Sequence, residues 1–264
     1  MQLRFLLLLW LSCSISHAAQ WKSDIYPISN GSFPALSPTT LDYRISWKGL
    51  LDAGSVRLEF APKAHSKPNS YVVHSASRSL GPASSLFPYE SSFWSEIHPT
   101  SLTALRFFAT EKDKRETIES KTSFSQSKAD YTEITRDLRN GTVKTRSRTF
   151  PFAPVHDLFS AMLFVRSQKL EKGDNITLVA QPFATPYLIR IHVVDHVLHK
   201  QRPAIHLRLA MNKINRDTLQ LEPYKKMNRE ASLWLSNDKQ RIPLELRASV
   251  FIGDVRATLT NTRR

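Results

Sequence analysis

The feature that most constrains this chain is period-two alternation of apolar and polar residues, repeated from segment to segment. Leu41, Tyr43, Ile45 and Trp47 are separated by Asp42, Arg44, Ser46 and Lys48, which gives a strand one apolar and one polar face. Val56, Leu58 and Phe60 alternate with Arg57 and Glu59 beyond a turn at residues 49–54. The same pattern returns at Ile189, Ile191 and Val193, at Ile205, Leu207 and Leu209, at Ile242, Leu244, Leu246 and Val250, and at Val255, Ala257 and Leu259. One-faced strands in series, joined by short polar turns, predict an all-β fold. The expected form is a curved antiparallel meander or partly open β-barrel of about eleven or twelve strands.

The turn at Asn140-Gly141 predicts a two-residue type I′ hairpin over Tyr131–Phe150. That register sets Tyr131 against Phe150, Leu138 against Val143, Asp137 against Lys144 and Glu133 against Arg148. Of the basic stripe Lys144, Arg146 and Arg148, only Arg146 then lacks an acidic partner, together with Arg139 near the turn.

One segment breaks the alternation. Val155, Leu158, Phe159, Met162, Leu163 and Phe164 or Val165 recur at spacings of three and four, predicting a single inserted helix over 155–170. Pro154 or Asp157 starts it and Gly173 is the expected terminator. At the N-terminus, Arg4, the apolar run Phe5–Leu11 and Ser16-His17-Ala18 have the build of an export signal, so residues 1–18 are set aside from folding. Residues 19–40, rich in Pro, Ser and Thr, read as an extended arm, and 41–264 as one barrel-like domain. The only cysteine, Cys13, lies within the signal. A lipoprotein reading of Cys13 is disfavoured because Trp10 stands where Leu is required. After cleavage no thiol, disulfide or transmembrane helix is expected.

Three stretches resemble a known family when taken in order. They are Tyr43-Arg44-Ile45-Ser46-Trp47-Lys48-Gly49-Leu50 with Gly54, then Asp157–Arg166 with Gly173-Asp174, then Leu233–Asp238 with Arg241-Ile242-Pro243-Leu244 and Gly253. Together they are similar to the exported bacterial domain of unknown function 3108. The resemblance implies a partly closed barrel in the bacterial envelope, periplasmic or secreted, and brings no catalytic residues with it. The chain differs in its basicity and in the charged turn at Lys112–Glu116.

Local motifs of chemistry are weak. His192, His196 and His199 fall in a β-branched stretch, where His192 and His196 share a strand face about 13 Å apart, too far for one metal ion. His156, Asp157 and Ser160 have the residue types of a hydrolase triad but no nucleophile elbow, and Asp157 reads more simply as a helix start. With 7 glycines in 264 residues, phosphate-cradling loops are not expected. The formal charge of +14 is spread along the chain, which favours anionic surfaces without defining a nucleic-acid site. The expectation is therefore a non-catalytic envelope protein, without metal or cofactor, acting as an interaction module. Its partner would be an anionic envelope polymer, a lipid or another protein. The alternative is a carrier of a lipid-like ligand. Candidate contact residues are Trp234, which alternates with Leu233 and Leu235 and so faces outward, with Arg139 and Arg146. Tyr43, Trp47, Leu58, Ile191, Leu207 and Leu244 are the candidates to line the interior, which the helix is expected to plug.

Overall fold

The computed structural model describes residues 20–28, 31–33, 35–61, 70–225, 230–250 and 253–264. The expected export signal, with Cys13 inside it, lies outside the described residues. Fifteen strands are formed among the described residues. The first eight are β1 (Thr39–Trp47), β2 (Leu51–Phe60), β3 (Tyr71–Ser79), β4 (Tyr89–Ile97), β5 (Ala104–Asp113), β6 (Glu116–Phe124), β7 (Ala129–Asp137) and β8 (Val143–Phe150). They are followed by β9 (Asn175–Ala180), β10 (Tyr187–His199), β11 (Arg202–Ile214), β12 (Leu221–Pro223), β13 (Ala231–Ser236), β14 (Pro243–Val250) and β15 (Gly253–Arg263). A short helix, α1 (Gly81–Leu86), joins β3 to β4, and α2 (Leu158–Ser167) joins β8 to β9. The count exceeds the expected eleven or twelve. Serine and threonine stand at inward positions of β3, β4 and β6, such as Ser75, Ser95 and Thr122, and dilute the apolar alternation there.

All strands belong to one antiparallel sheet. Its order runs from β8 back to β1, then β15, β14, β13, β11, β10 and β9, with β12 paired to β11. The β1–β15 pairing therefore brings the first and last strands together in the middle of the sheet. The apolar faces turn inward as the sheet curls around α2. Phe159 and Leu163 of the helix pack with Leu41, Phe60, Val73 and Phe107 on one side. Ala161, Phe164 and Val165 pack with Ile176, Ile191, Leu207 and Leu235 on the other. Where the curl brings the two edge strands together, Phe150 and Val155 share an apolar cluster with Val179, Leu188 and Ile214. Trp21 of the arm is buried in that seam, its Nε1 donating to the Leu219 carbonyl at 2.8 Å. The unpaired edge of β9 is covered on the same side: Tyr26 N donates to Thr177 O, and His156 N to Val179 O.

Several expectations are corrected. The β7–β8 hairpin has a four-residue turn, not a two-residue one: Gly141 N donates to Asp137 O, Asp137 N donates to Thr142 O, and Ala129 opposes Phe150. Gly141 alone takes positive φ, at 70°, whereas a type I′ turn requires it at Asn140 as well. Asn140 Oδ1 instead accepts from Thr142 N. Glu133 thus faces Arg146, Tyr131 faces Arg148, Thr135 faces Lys144 and Arg136 faces Val143. The helix begins at Leu158, not at Val155, because Asp157, itself in extended backbone, is its N-cap. It ends at Ser167, so Gly173 is not its terminator.

Trp47, expected inside, is 42% exposed. It stands at the last position of β1, where its neighbours are Val255 and Leu51 and the wall has run out. The histidines of β10 are also re-aimed. A bulge leaves Val194 without an opposite residue between the Val193–Leu207 and Asp195–His206 pairs, so His192 and His196 do not share a face. His196 reaches the Leu170 carbonyl, and His199 stacks on Trp234.

Candidate functional site

The interior is built around α2, and both ends of that helix are anchored. Asp157 is the N-cap: its Oδ1 accepts from Phe159 N at 2.7 Å and Ser160 N at 2.8 Å, while Ser160 Oγ accepts from Asp157 N. Its Oδ2 accepts from Ser95 Oγ of β4 at 2.6 Å, tying the cap to the sheet. Burial raises the Asp157 carboxyl to about 6 against the opposing pull of these donors. At the other end Arg241 donates to the carbonyls of Arg166, Gln168 and Lys169, and its guanidinium lies 3.6 Å from the centre of the Phe33 ring. A cation at the C-terminus also complements the helix dipole. No sequence pattern marks Arg241 for this role, since nothing local connects it to Arg166, 75 residues earlier in the chain.

Between α2 and the curled sheet lies a half-open pocket of about 370 Å³. Leu158, Ala161, Met162 and Val165 form its floor, and β1–β4, β9–β11 and β13–β15 form its walls. Apart from the hydroxyls of Ser75 and Ser77 the lining is apolar, and Ser77 Oγ is already bonded to Ser91 Oγ at 2.6 Å. The phenol of Tyr43 points its oxygen into the wall, donating to Pro243 O at 2.8 Å, so only the ring faces the pocket. Of the residues expected to line the interior, Tyr43, Leu58, Ile191 and Leu207 border the pocket, whereas Trp47 and Leu244 do not. Leu244 falls where the β13–β14 register skips a residue, and Pro243 and Leu246 take its place in the wall.

The outward candidates lie elsewhere and are not brought together. Trp234 stacks with His199, with centroids 4.4 Å apart, and with His206, 4.6 Å apart, so its ring is already engaged by two imidazoles. Next to it the buried Glu245 takes Lys200, Arg247 and His199 as partners. Burial would raise its pKa, but the hydrogen bonds from Lys200, Arg247 and His199 and the charge of Arg247 outweigh that and hold it at about 2. Arg139 and Arg146 are not unpaired: the first lies 3.8 Å from Asp137 and the second 4.0 Å from Glu133. His156, Asp157 and Ser160 belong to the start of the helix and do not border the pocket. Burial lowers His156 to about 4. Among the described residues no cluster of His, Cys, Asp and Glu is arranged to hold a metal ion, and no helix is long and apolar enough to cross a membrane.

A curled antiparallel sheet wrapped over a helix, with an apolar pocket at its centre, defines a β-barrel-like protein. The chain belongs to the family described as "Protein of unknown function (DUF3108)", whose model matches residues 42–260. A β-barrel-like protein of the domain of unknown function DUF1849 from Brucella abortus is similar in fold. It is 11% identical, with a TM-score of 0.53, over 87% of this chain and 98% of that one. A protein with a YmcC-like fold from Bacteroides fragilis covers 89% of this chain and 100% of its own. At 8% identity and a TM-score of 0.32 it is too distant to inform the fold. No curated protein matches the chain.

Proposed function

We propose that this protein is a non-catalytic binding protein of the bacterial cell envelope that holds a hydrophobic, lipid-like ligand in its half-open barrel. The export signal read at residues 1–18, the arm at 19–40 and a single domain over 41–264 are part of this reading. The observation that carries it is the pocket: about 370 Å³, apolar but for two serine hydroxyls. That volume lies within the roughly 300–1,000 Å³ of small-molecule sites. The helix expected to plug the barrel occupies its base and leaves this space above Met162, which favours a carrier over a solidly packed interaction module.

Native mass spectrometry of protein purified from its own compartment tests this. The expected result is a co-purifying apolar molecule on the wild type that is absent from Met162→Trp, whose larger side chain occupies the pocket floor. Wild-type protein that is empty and takes up no fluorescent fatty acid in titration rejects the carrier reading and returns the outer surface as the site of function.

A further inference from the structure

Four turns gather at one end of the barrel. The β1–β2 turn at residues 48–50 lies beside the segment leading into α1, since Leu80 N donates to Ala53 O at 3.0 Å. The residues that follow α1 reach the β5–β6 turn, because Tyr89 pairs with Asp113. That turn is tied to the β7–β8 turn by the bond from Leu138 N to Arg115 O at 2.8 Å. The tips of these turns are unusual in what they expose. Leu50 is 84% accessible, Leu51 59%, Leu86 71% and Phe87 76%. Large apolar side chains standing together in water at loop tips are not a packing requirement, and they mark a surface that is covered in use. The charged residues interleaved with them at residues 48–50, 80–88, 114–115 and 138–141 are Lys48, Lys114, Arg115 and Arg139, and no acidic residue falls within those four stretches. Carboxylates flank these stretches at Asp52, Glu90, Asp113, Glu116 and Asp137, outside the tips themselves; Asp52 lies 3.4 Å from Arg44, Asp113 accepts from the amides of Arg115 and Glu116, and Asp137 from that of Arg139.

The pocket opens toward this end. On β2 its lining residues Val56 and Leu58 lie nearer the β1–β2 turn than Phe60, which is buried against α2, and on β3 Ser75 and Ser77 lie nearer α1 than Val73. Trp47, half-exposed with the Lys48 ammonium 5.6 Å from its ring, has the amphipathic placement of an interfacial aromatic.

We propose that this end docks onto the surface of an anionic lipid bilayer, with Leu50, Leu51, Leu86 and Phe87 entering the headgroup boundary and Lys48, Lys114 and Arg115 meeting lipid phosphates. Exposed large apolar side chains at the tips with lysine and arginine interleaved among them are the pattern of a contact with an anionic bilayer, apolar groups entering the headgroup boundary and cations meeting phosphates, which favours a bilayer over a protein partner. The docking rests on residues outside the pocket lining, so it does not depend on the pocket holding a ligand.

Flotation of the purified protein with phosphatidylglycerol-containing and with pure phosphatidylcholine vesicles tests it. The wild type is expected to float with the anionic vesicles at about 0.1 M salt and progressively less as salt is raised. Leu86→Ser/Phe87→Ser should weaken that binding by roughly a hundredfold, about tenfold for each apolar side chain withdrawn from the interface. Lys114→Glu/Arg115→Glu should abolish the preference for anionic lipid. Both pairs lie in exposed turns, and unchanged circular dichroism and thermal midpoints confirm that they fold. Met162→Trp should float like the wild type, which separates this test from that of the pocket. Absence of flotation, or flotation unchanged in Leu86→Ser/Phe87→Ser, overturns the proposal. So does a dimer that dissociates in those variants while no vesicle binding is seen, which would make the patch a self-association surface.

Discussion

At the scale of single residues, Asp157 carries two opposed effects. Its oxygens satisfy two backbone donors at the start of α2 and the Ser95 hydroxyl, yet it is wholly buried and its pKa is raised to about 6. A carboxyl whose folded pKa exceeds its unfolded value, near 3.9, binds its proton more tightly in the native state. Its contribution to stability is therefore full below about pH 4 and is lost as pH rises through about 6. Asp157→Asn keeps an oxygen for both backbone donors and removes the buried charge. Urea denaturation should show that variant without the decline between roughly pH 4 and 6, a difference on the order of 3 kcal/mol by pH 7.5. Asp157→Ala, which leaves the helix donors unpartnered, should fall below Asp157→Asn by about 1–2 kcal/mol. Equal pH profiles for the wild type and Asp157→Asn would contradict this account.

At the scale of elements, α2 is short for an interior helix, and its position depends on its ends. Arg241 supplies donors to three carbonyls at its C-terminus, and the buried Arg166 donates back to the Gln240 carbonyl. Arg241→Met keeps the bulk over Phe33 but withdraws the donors, and should cost about 3 kcal/mol in urea denaturation. A loss no larger than that of an exposed arginine would show that the carbonyls find other partners. The β7–β8 hairpin shows how an element can be recognised and still be mispaired. Moving from the two-residue to the four-residue turn shifts the pairing by two positions, which keeps every side chain on its own face. The alternation cannot tell the two apart. Both registers also set Glu133 opposite an arginine, so the charge pattern does not decide either.

At the scale of the whole molecule, the sheet is open, and the edge of β9 is covered by segments that carry no strand pattern. Trp21 comes from the arm, which reads in sequence as an unstructured lead-in, yet it fills the seam with Phe150, Val179 and Leu188. Its position makes the arm part of the core. Trp21→Ala should lose about 3–5 kcal/mol, the cost of deleting a buried indole, and amide exchange should quicken along β9 before the rest of the sheet. If exchange on β9 is unchanged, the seam is held by other contacts.

By itself the amino-acid sequence determined the all-β class, the inward face of the strands with clean alternation, and the single long helix, with Asp157 as one of two candidate starts. Each is written locally, in period-two or period-3.6 patterning or in a cap residue. Tyr43, Leu58, Ile191 and Leu207 could be assigned to the interior for the same reason. Only the tertiary structure decided the rest. Bulges such as that at Val194 re-aim the side chains that follow, and a strand's last residue, as Trp47 shows, loses the cover that its neighbours enjoy. Arg241 meets the helix, and Trp21 the seam, only after the sheet has curled. Whether α2 fills the barrel or leaves a pocket is likewise a matter of how deeply it sits against walls drawn from both halves of the chain, a distance that no local pattern encodes.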